Sequence, residues 1–227
     1  TQIKNLTKAI YRTGLEIESL VISPLAAAEA VLSQKQKELG VALINIGSST
    51  TSLAIYEERN LIHTAVLPIG AEHITADVAI GLRCPINLAE RIKQQYGNAV
   101  PEDIGKDEEV DVSELVREEE VNDDISSISR KYVAEIINAR VEEIFEKVDN
   151  EFKRIDRSGM LPAGVIFVGG GAELEGLVEA AKKKLRLPAA IGLAKNINVV
   201  IDKVKNPEFL TALGLVIWGS RIETEGG

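Results

Sequence analysis

The chain has 227 residues, 45% hydrophobic and 27% charged, an ordinary globular composition with enough length for one large core or two smaller ones. Acids outnumber Lys and Arg by 35 to 26, and a net charge of −9 repels nucleic acid, so duplex DNA and RNA are excluded as expected partners. One cysteine, Cys84, excludes an internal disulfide, and with two histidines it argues against a Cys/His zinc site, in keeping with a reducing cytoplasm; no apolar run reaches the roughly 20 residues that span a bilayer.

The sequence opens at Thr1-Gln2-Ile3-Lys4, without Met, inside an apparent helix, and is expected to be part of a longer chain. Ile3, Leu6 and Ile10 recur at helical spacing, and Gly14 can end that helix. Leu20-Val21-Ile22 reads as a short buried strand. Ser23-Pro24 supplies an N-cap and a first-turn proline for a helix running through Ala26-Ala27-Ala28 to about Lys37 and closed by Gly40. Val41 to Ile46 is an apolar strand interrupted only by Asn45. A small-residue turn follows, Leu53 to Tyr56 returns, Arg59-Asn60 turns again and Leu61 to Leu67 completes a three-stranded meander.

Helices are expected around Ile74–Ile80 and Leu88–Tyr96, with Gly97 as the stop. Residues 101–125 turn acidic and read as a surface segment, with short strands near Val110-Asp111-Val112 or as a loop. A long helix over about 128–157 keeps Val133, Ile137, Val141, Ile144, Val148 and Phe152 on one stripe. Gly164 to Val168 is a buried strand running into Gly169-Gly170-Gly171 and then a helix, Leu174–Leu185. Pro207 starts a last helix through Trp218. This mixed order indicates an α/β or α+β protein.

Two segments carry candidate chemistry. Gly47, Ser48, Ser49 and Thr50 form a tight turn whose N–H and hydroxyl groups can converge on an anion, or form a plain hairpin turn that favours such residues anyway. Gly169, Gly170 and Gly171 join a buried strand to a helix, either so that backbone can lie flat on a ligand or for close packing; the spacing is not GxGxxG. The two turns, with a helical segment between them, resemble the ATPase domain shared by actin, the DnaK-type chaperones and hexokinase, in which the first hairpin holds phosphates and the later glycine turn holds adenosine.

Longer stretches resemble the FtsA family of bacterial cell-division proteins. These are Glu38 to Gly47; His63-Thr64 through Leu67-Pro68-Ile69-Gly70-Ala71-Glu72-His73-Ile74-Thr75-Ala76-Asp77; Ala89-Glu90-Arg91-Ile92-Lys93 with Gly97; Phe167 to Leu177; Ile191-Gly192 with Asn196-Ile197; and Thr211 to Gly219. The rod-shape protein MreB shares the phosphate, Ala-Glu-x-Ile-Lys and glycine motifs, and the pilus-assembly protein PilM is a further relative.

The resemblance implies an actin-like (ribonuclease H-like) α/β lobe with a mixed sheet flanked by helices and a smaller inserted α+β subdomain. Residues 1–37 would finish the first lobe, 38–70 and 160–205 form the nucleotide-facing subdomain, 71–159 the insertion, and 206–227 a helix returning to the first lobe. It implies ATP with Mg²⁺ as cofactor. Gly47, Ser48, Ser49 and Thr50 would lie at the phosphates, Gly169, Gly170 and Gly171 at the adenosine, with Arg140, Glu143, Gly70 and Glu72 nearby. The partners implied are the acidic C-terminal peptide of the tubulin-like FtsZ, met by Lys147, Lys153 and Arg154 on the long helix, and other copies of the protein in protofilaments. The place implied is the cytoplasmic face of the cell membrane at the division site, reached through a segment outside this sequence.

The chain departs from the family pattern at three points. Asn45 stands where Asp is common, Ser48 and Ser49 replace glycines, and Ser23-Pro24 stands where chaperone and MreB relatives have Glu-Pro, the Glu orienting the attacking water. The reading is therefore a nucleotide-switched scaffold with weak or no hydrolysis. The alternatives are a PilM-like pilus platform, an MreB-like filament protein and an active phosphotransferase or ATPase of the same fold.

Overall fold

A computed structural model describes residues 2–119, 125–194 and 202–225. Along the chain lie α1 (Gln2–Tyr11), α2 (Ser23–Val31), α3 (Gln34–Leu39), β1 (Val41–Ile46), β2 (Thr51–Glu57), β3 (Asn60–Leu67), α4 (Ala71–Leu82) and α5 (Ile86–Tyr96). They are followed by β4 (Glu109–Asp111), α6 (Ser113–Glu118), β5 (Ser127–Ser129), α7 (Arg130–Arg154), β6 (Val165–Val168), α8 (Leu177–Leu185), β7 (Ala189–Ile191) and α9 (Leu210–Glu225).

One sheet has the order β3-β2-β1-β6-β7. The meander β1–β2–β3 is antiparallel, whereas β6 runs parallel to β1 on one side and to β7 on the other. The parallel pair β6 and β7 is joined through α8, because parallel neighbours need a crossover. Side chains alternate between the two faces of the sheet. Ala42, Ile44, Ile46, Leu53, Ile55, Val165 and Phe167 pack into a large core with Val78, Leu88, Ile92, Ile137, Phe145 and Phe152. Leu43, Ala54, Tyr56, Ile166 and Val168 meet Ala27, Ala28, Val31 and Leu210 on the other face. There α9 crosses α2 with almost no gap: a Cβ on Gly214 would overlap the Ala26 carbonyl, and the run of alanines in α2 is what permits that approach.

The expected meander is present, with Glu58 and Arg59 both at positive φ in the second turn. The long helix and the strand before the glycines are also present. Three expectations are corrected. Leu20-Val21-Ile22 is not a strand; Leu20 and Ile22 are exposed, and no strand among the described residues lies beside them to share hydrogen bonds. The helix expected over 23–37 is two helices, because Ser33 and Gln36 form a reciprocal capping box that starts α3 afresh. Its first residue is Ser23 itself, with Ile22 in the cap position. The helix after the glycines begins at Leu177 rather than Leu174, behind a 3-10 turn over Gly170–Glu173. The segment 101–119 carries a 3-10 turn, β4 and α6, and Asn196-Ile197 lies outside the described residues.

One ion cluster ties the helices of the smaller core together. Lys37 Nζ, 6% exposed as a residue, donates to Glu29 Oε1 at 2.7 Å and lies 4.9 Å from the centre of the Tyr56 ring. Arg221 of α9 pairs with the other Glu29 oxygen. Burial, and then the Glu29 charge, push the Tyr56 phenol up to about 12. Burial also pushes the Glu29 carboxyl up, but Lys37 and Arg221 outweigh it and hold the group below its ordinary 4.5. Glu29→Ala should therefore cost about 3 kcal/mol in urea unfolding by stranding Lys37, and Glu29→Met with Lys37→Met should recover most of it. Because the folded value is depressed, this contribution is complete above pH 4.5 and lost as pH falls through the folded value, so the native melting temperature should drop in that range more steeply than that of Glu29→Gln.

Candidate functional site

β1 and β6 run side by side, with Asn45 opposite Val168, so the turns that leave them emerge next to each other. Gly169 has φ +87°, and a Cβ there would lie 2.5 Å from the Ile46 carbonyl oxygen and overlap the Asn45 side chain. A Cβ on Gly171 would overlap the Ile46 side chain. Gly170 differs: it is exposed, and its Cβ direction is open. Two of the three glycines are thus needed to let the turn fold over the end of β1, and the middle one faces outward. The Gly169 N–H donates to the Pro207 carbonyl at 2.9 Å, and Asn45 Nδ2 donates to Thr211 Oγ1 at 3.2 Å, which joins both strand ends to the start of α9.

The first turn is built over Gly70. A Cβ at Gly70 would lie 2.6 Å from the Gly47 oxygen and 2.7 Å from the Thr50 nitrogen. The Ala71 and Glu72 N–H groups, at the start of α4, donate to the Gly47 and Ser48 carbonyls at 2.8 and 2.9 Å, and the Gly47 N–H donates to the Thr50 carbonyl at 2.9 Å. Among the described residues no acceptor takes the N–H groups of Ser48, Ser49 and Thr50. Directly after them, Thr51 Oγ1 is buried with no hydrogen-bond partner.

Between the two turns lies a cavity of about 610 Å³, within the range of small-molecule sites. Gly47 and Ser48 form one wall; Ala71, Glu72 and Ile74 of α4 and Glu90, Lys93, Gln94 and Gly97 of α5 a second; Gly170, Gly171, Glu173, Leu174 and Glu175 a third, with Glu208 at the edge. Lys93 is the cation of the lining and is held firmly: its Nζ donates to Thr75 Oγ1 at 2.8 Å and to Glu90 Oε2 at 2.7 Å, while Thr75 also donates to Glu90. Burial pushes the Glu90 carboxyl up, and the hydrogen bonds from Lys93 and Thr75 outweigh it, leaving it below the ordinary value. Five carboxylates against one ammonium make the lining acidic. Among the described residues no group of three or more His, Cys, Asp and Glu is placed to hold a metal ion.

Of the residues singled out from sequence, Gly47, Ser48, Glu72, Gly170 and Gly171 come together around this cavity. Ser49 is exposed next to them; Thr50 and Gly70 form the base of the turn, and Gly169 is packed beneath the glycine turn. Arg140 and Glu143 do not line it. Arg140 makes a two-point contact with Asp77, at 2.6 and 2.9 Å, and pairs with Glu143, joining α7 to α4. Lys153 and Arg154 are exposed and Lys147 half-buried on α7, each paired with an acid one turn away: Lys147 with Glu143 at 3.4 Å, Lys153 with Asp149 at 2.7 Å and Arg154 with Glu151 at 2.7 Å. Glu90 and Lys93 were within reach of sequence reasoning, since Ala89-Glu90-Arg91-Ile92-Lys93 puts them one turn apart on a helix. Glu173 follows the glycines directly and was within reach too; Glu208 was not, because only the fold brings the segment before α9 to the glycine turn.

A mixed five-stranded sheet whose central parallel pair ends in two glycine turns over one cleft places the chain in the actin-like class of α/β folds. MreB5 of Spiroplasma citri bound to ADP superposes with a TM-score of 0.74 at 17% identity, covering 99% of this chain and 67% of that one. The PilM–PilN type IV pilus biogenesis complex gives 0.68 at 17% identity, covering 96% and 57%. At sequence level the particular family is clear: the model for "Cell division protein FtsA" matches residues 42–214, and the chain belongs to the FtsA family. It is 34% identical to cell division protein FtsA of Pseudomonas aeruginosa, covering 98% of this chain and 52% of that protein. To that of Neisseria meningitidis it is 37% identical (98% and 53%), and to that of Bacillus subtilis 34% (97% and 48%). The chain spans about half the length of these relatives. No helix among the described residues is long and apolar enough to cross a membrane.

The unequal glycines give a direct test of the packing. Gly169→Ala should destabilise by about 2 kcal/mol or more, from the left-handed backbone and the overlap with β1, whereas Gly170→Ala should stay within about 0.5 kcal/mol. Chemical denaturation of the two variants side by side measures both.

Proposed function

We propose that the chain is the part of an FtsA-type scaffold that receives ATP. In this reading the phosphates lie against the turn Gly47–Thr50 and the nucleoside lies across Gly170 and Gly171, with Lys93 and Glu90 closing the α5 side. The observation that carries it is the meeting of both glycine turns, distant in sequence, on one cavity, with the open N–H of Ser48 on its wall and those of Ser49 and Thr50 next in the same turn. Backbone N–H groups without acceptors suit phosphate oxygens. Magnesium would arrive on the phosphates, keeping most of its water shell.

The amide of Asn45 is committed to Thr211 and exposed Ser23 carries no carboxylate, so neither position supplies a base for water attack, and the carboxylate nearest the phosphate turn, Glu72, is engaged by Ser48. Nucleotide then acts as a switch rather than a fuel. In keeping with the family, the scaffold would assemble into actin-like protofilaments and hold the FtsZ tail, with the solvent side of α7 at Lys147, Lys153 and Arg154 meeting its acids, and would tie it to the membrane through a segment outside this sequence. The same reading assigns residues 38–70 and 160–205 to the nucleotide-facing subdomain, 71–159 to the insertion, and 1–37 and 206–227 to the side of the first lobe.

Calorimetric titration of ATP–Mg²⁺ into the full-length parent tests the cleft. Gly170→Asp, which adds a carboxylate where there is room for it, should abolish binding without unfolding the protein. Lys93→Ala should weaken it by about tenfold or more, the worth of a charged hydrogen bond. Absence of binding in the parent itself would overturn the nucleotide reading and leave a scaffold that works through protein contacts alone.

A further inference from the structure

Glu72 occupies an unexpected place for a residue of an anion site. Its carboxylate accepts a hydrogen bond from Ser48 Oγ at 2.7 Å, and the serine hydroxyls of Ser48 and then Ser49 hold it below its ordinary value. Its own backbone is fixed, because the Glu72 N–H donates to the Ser48 carbonyl and the Ala71 N–H to that of Gly47. The side chain is exposed, so it can turn away while the backbone stays. An ionised carboxylate only accepts hydrogen bonds, so it cannot serve phosphate oxygens as a donor, and it repels them. As an acid in the first turn of α4 it would favour the helix without touching a serine.

We propose that Glu72 is an internal stand-in for phosphate: in the free protein it takes the Ser48 hydroxyl, and an arriving phosphoryl group must displace it. The turn thereby discriminates against a bare polyphosphate and in favour of one whose charge a divalent cation has already reduced. This rests on the reading of the cleft as a nucleotide site. No covalent bond is made or broken; one acceptor of the Ser48 hydroxyl replaces another, and Ser48, Ser49 and Thr50 add their open N–H groups.

The test compares the full-length protein with its Glu72→Gln variant, titrated with ATP in EDTA, ATP with Mg²⁺, and adenosine, with melting temperatures recorded for both. Glu72→Gln should bind metal-free ATP about five- to tenfold more tightly, the loss of one close like charge in a water-exposed site. It should gain less with Mg²⁺ and nothing with adenosine, so that the dependence of affinity on magnesium shrinks. A variant that binds ATP more weakly would make Glu72 a direct ligand and overturn the proposal. A gain equally large for adenosine would mean a reshaped cavity and overturn it too. Equal ATP affinities in the two proteins would sink this inference and leave the nucleotide site standing, whereas failure of both proteins to bind ATP or adenosine would remove the site and the inference together. Should Glu72→Gln melt early, Glu72→Asn, a shorter amide that also carries no charge, supports the same comparison.

Discussion

The site depends on the parallel pairing of β1 with β6. These strands are brought together from opposite ends of a long intervening segment, and their register decides that the residues after Ile46 and after Val168 leave the sheet as neighbours. The pairing alone would not make a cleft. The glycine turn must also fold back over the end of β1, and only residues without side chains at 169 and 171 fit against Asn45 and Ile46. The hydrogen bond from Gly169 to Pro207 and that from Asn45 to Thr211 then carry the same constraint to α9, so the last helix starts where the strands stop.

Polar contacts complete what the strands begin. Thr75, Glu90 and Lys93 lock α4 to α5, and the start of α4 in turn supplies the two N–H groups that hold the Gly47 and Ser48 carbonyls. A turn with several unused donors is thus held from below by backbone and from the side by a partly buried three-residue cluster. Its shape is set before any ligand arrives, which is how a site keeps its ordering cost out of the binding step. The acidity of the lining runs the other way: it makes the cavity selective about the charge it admits.

Local pattern made much of this legible. The meander, the small-residue turn, the stripe of α7 and the strand ahead of the glycines all follow from periodicities of two or 3.6 residues and from turn chemistry. Ser33 and Gln36 carried the signature of a helix start, but the alanine-rich run ahead of them reads as continuous helix, and the strong apparent helix masked the break. Leu20-Val21-Ile22 has the composition of a strand, but composition cannot say whether a neighbouring strand is there to pair with it. The pair of Arg140 with Asp77 spans 63 residues, so the sequence showed only the contact with nearby Glu143 and suggested a role at the ligand. Glu208 reaches the cavity for the same reason that it could not be anticipated: the end of the chain folds back across the sheet.

α7 has a further consequence. Its 25 residues contain neither glycine nor proline, the usual causes of a sharp kink, and its length is about 37 Å. At one end Arg130 reaches Glu175 on the cavity wall at 3.2 Å; at the other, Glu151 contacts His63 of the edge strand β3 at 2.9 Å. A helix buried along one side and tied at both ends acts as a strut: it sets the separation between the cavity wall at Glu175 and the sheet margin at His63, so the spacing of the two is fixed by the length of one element.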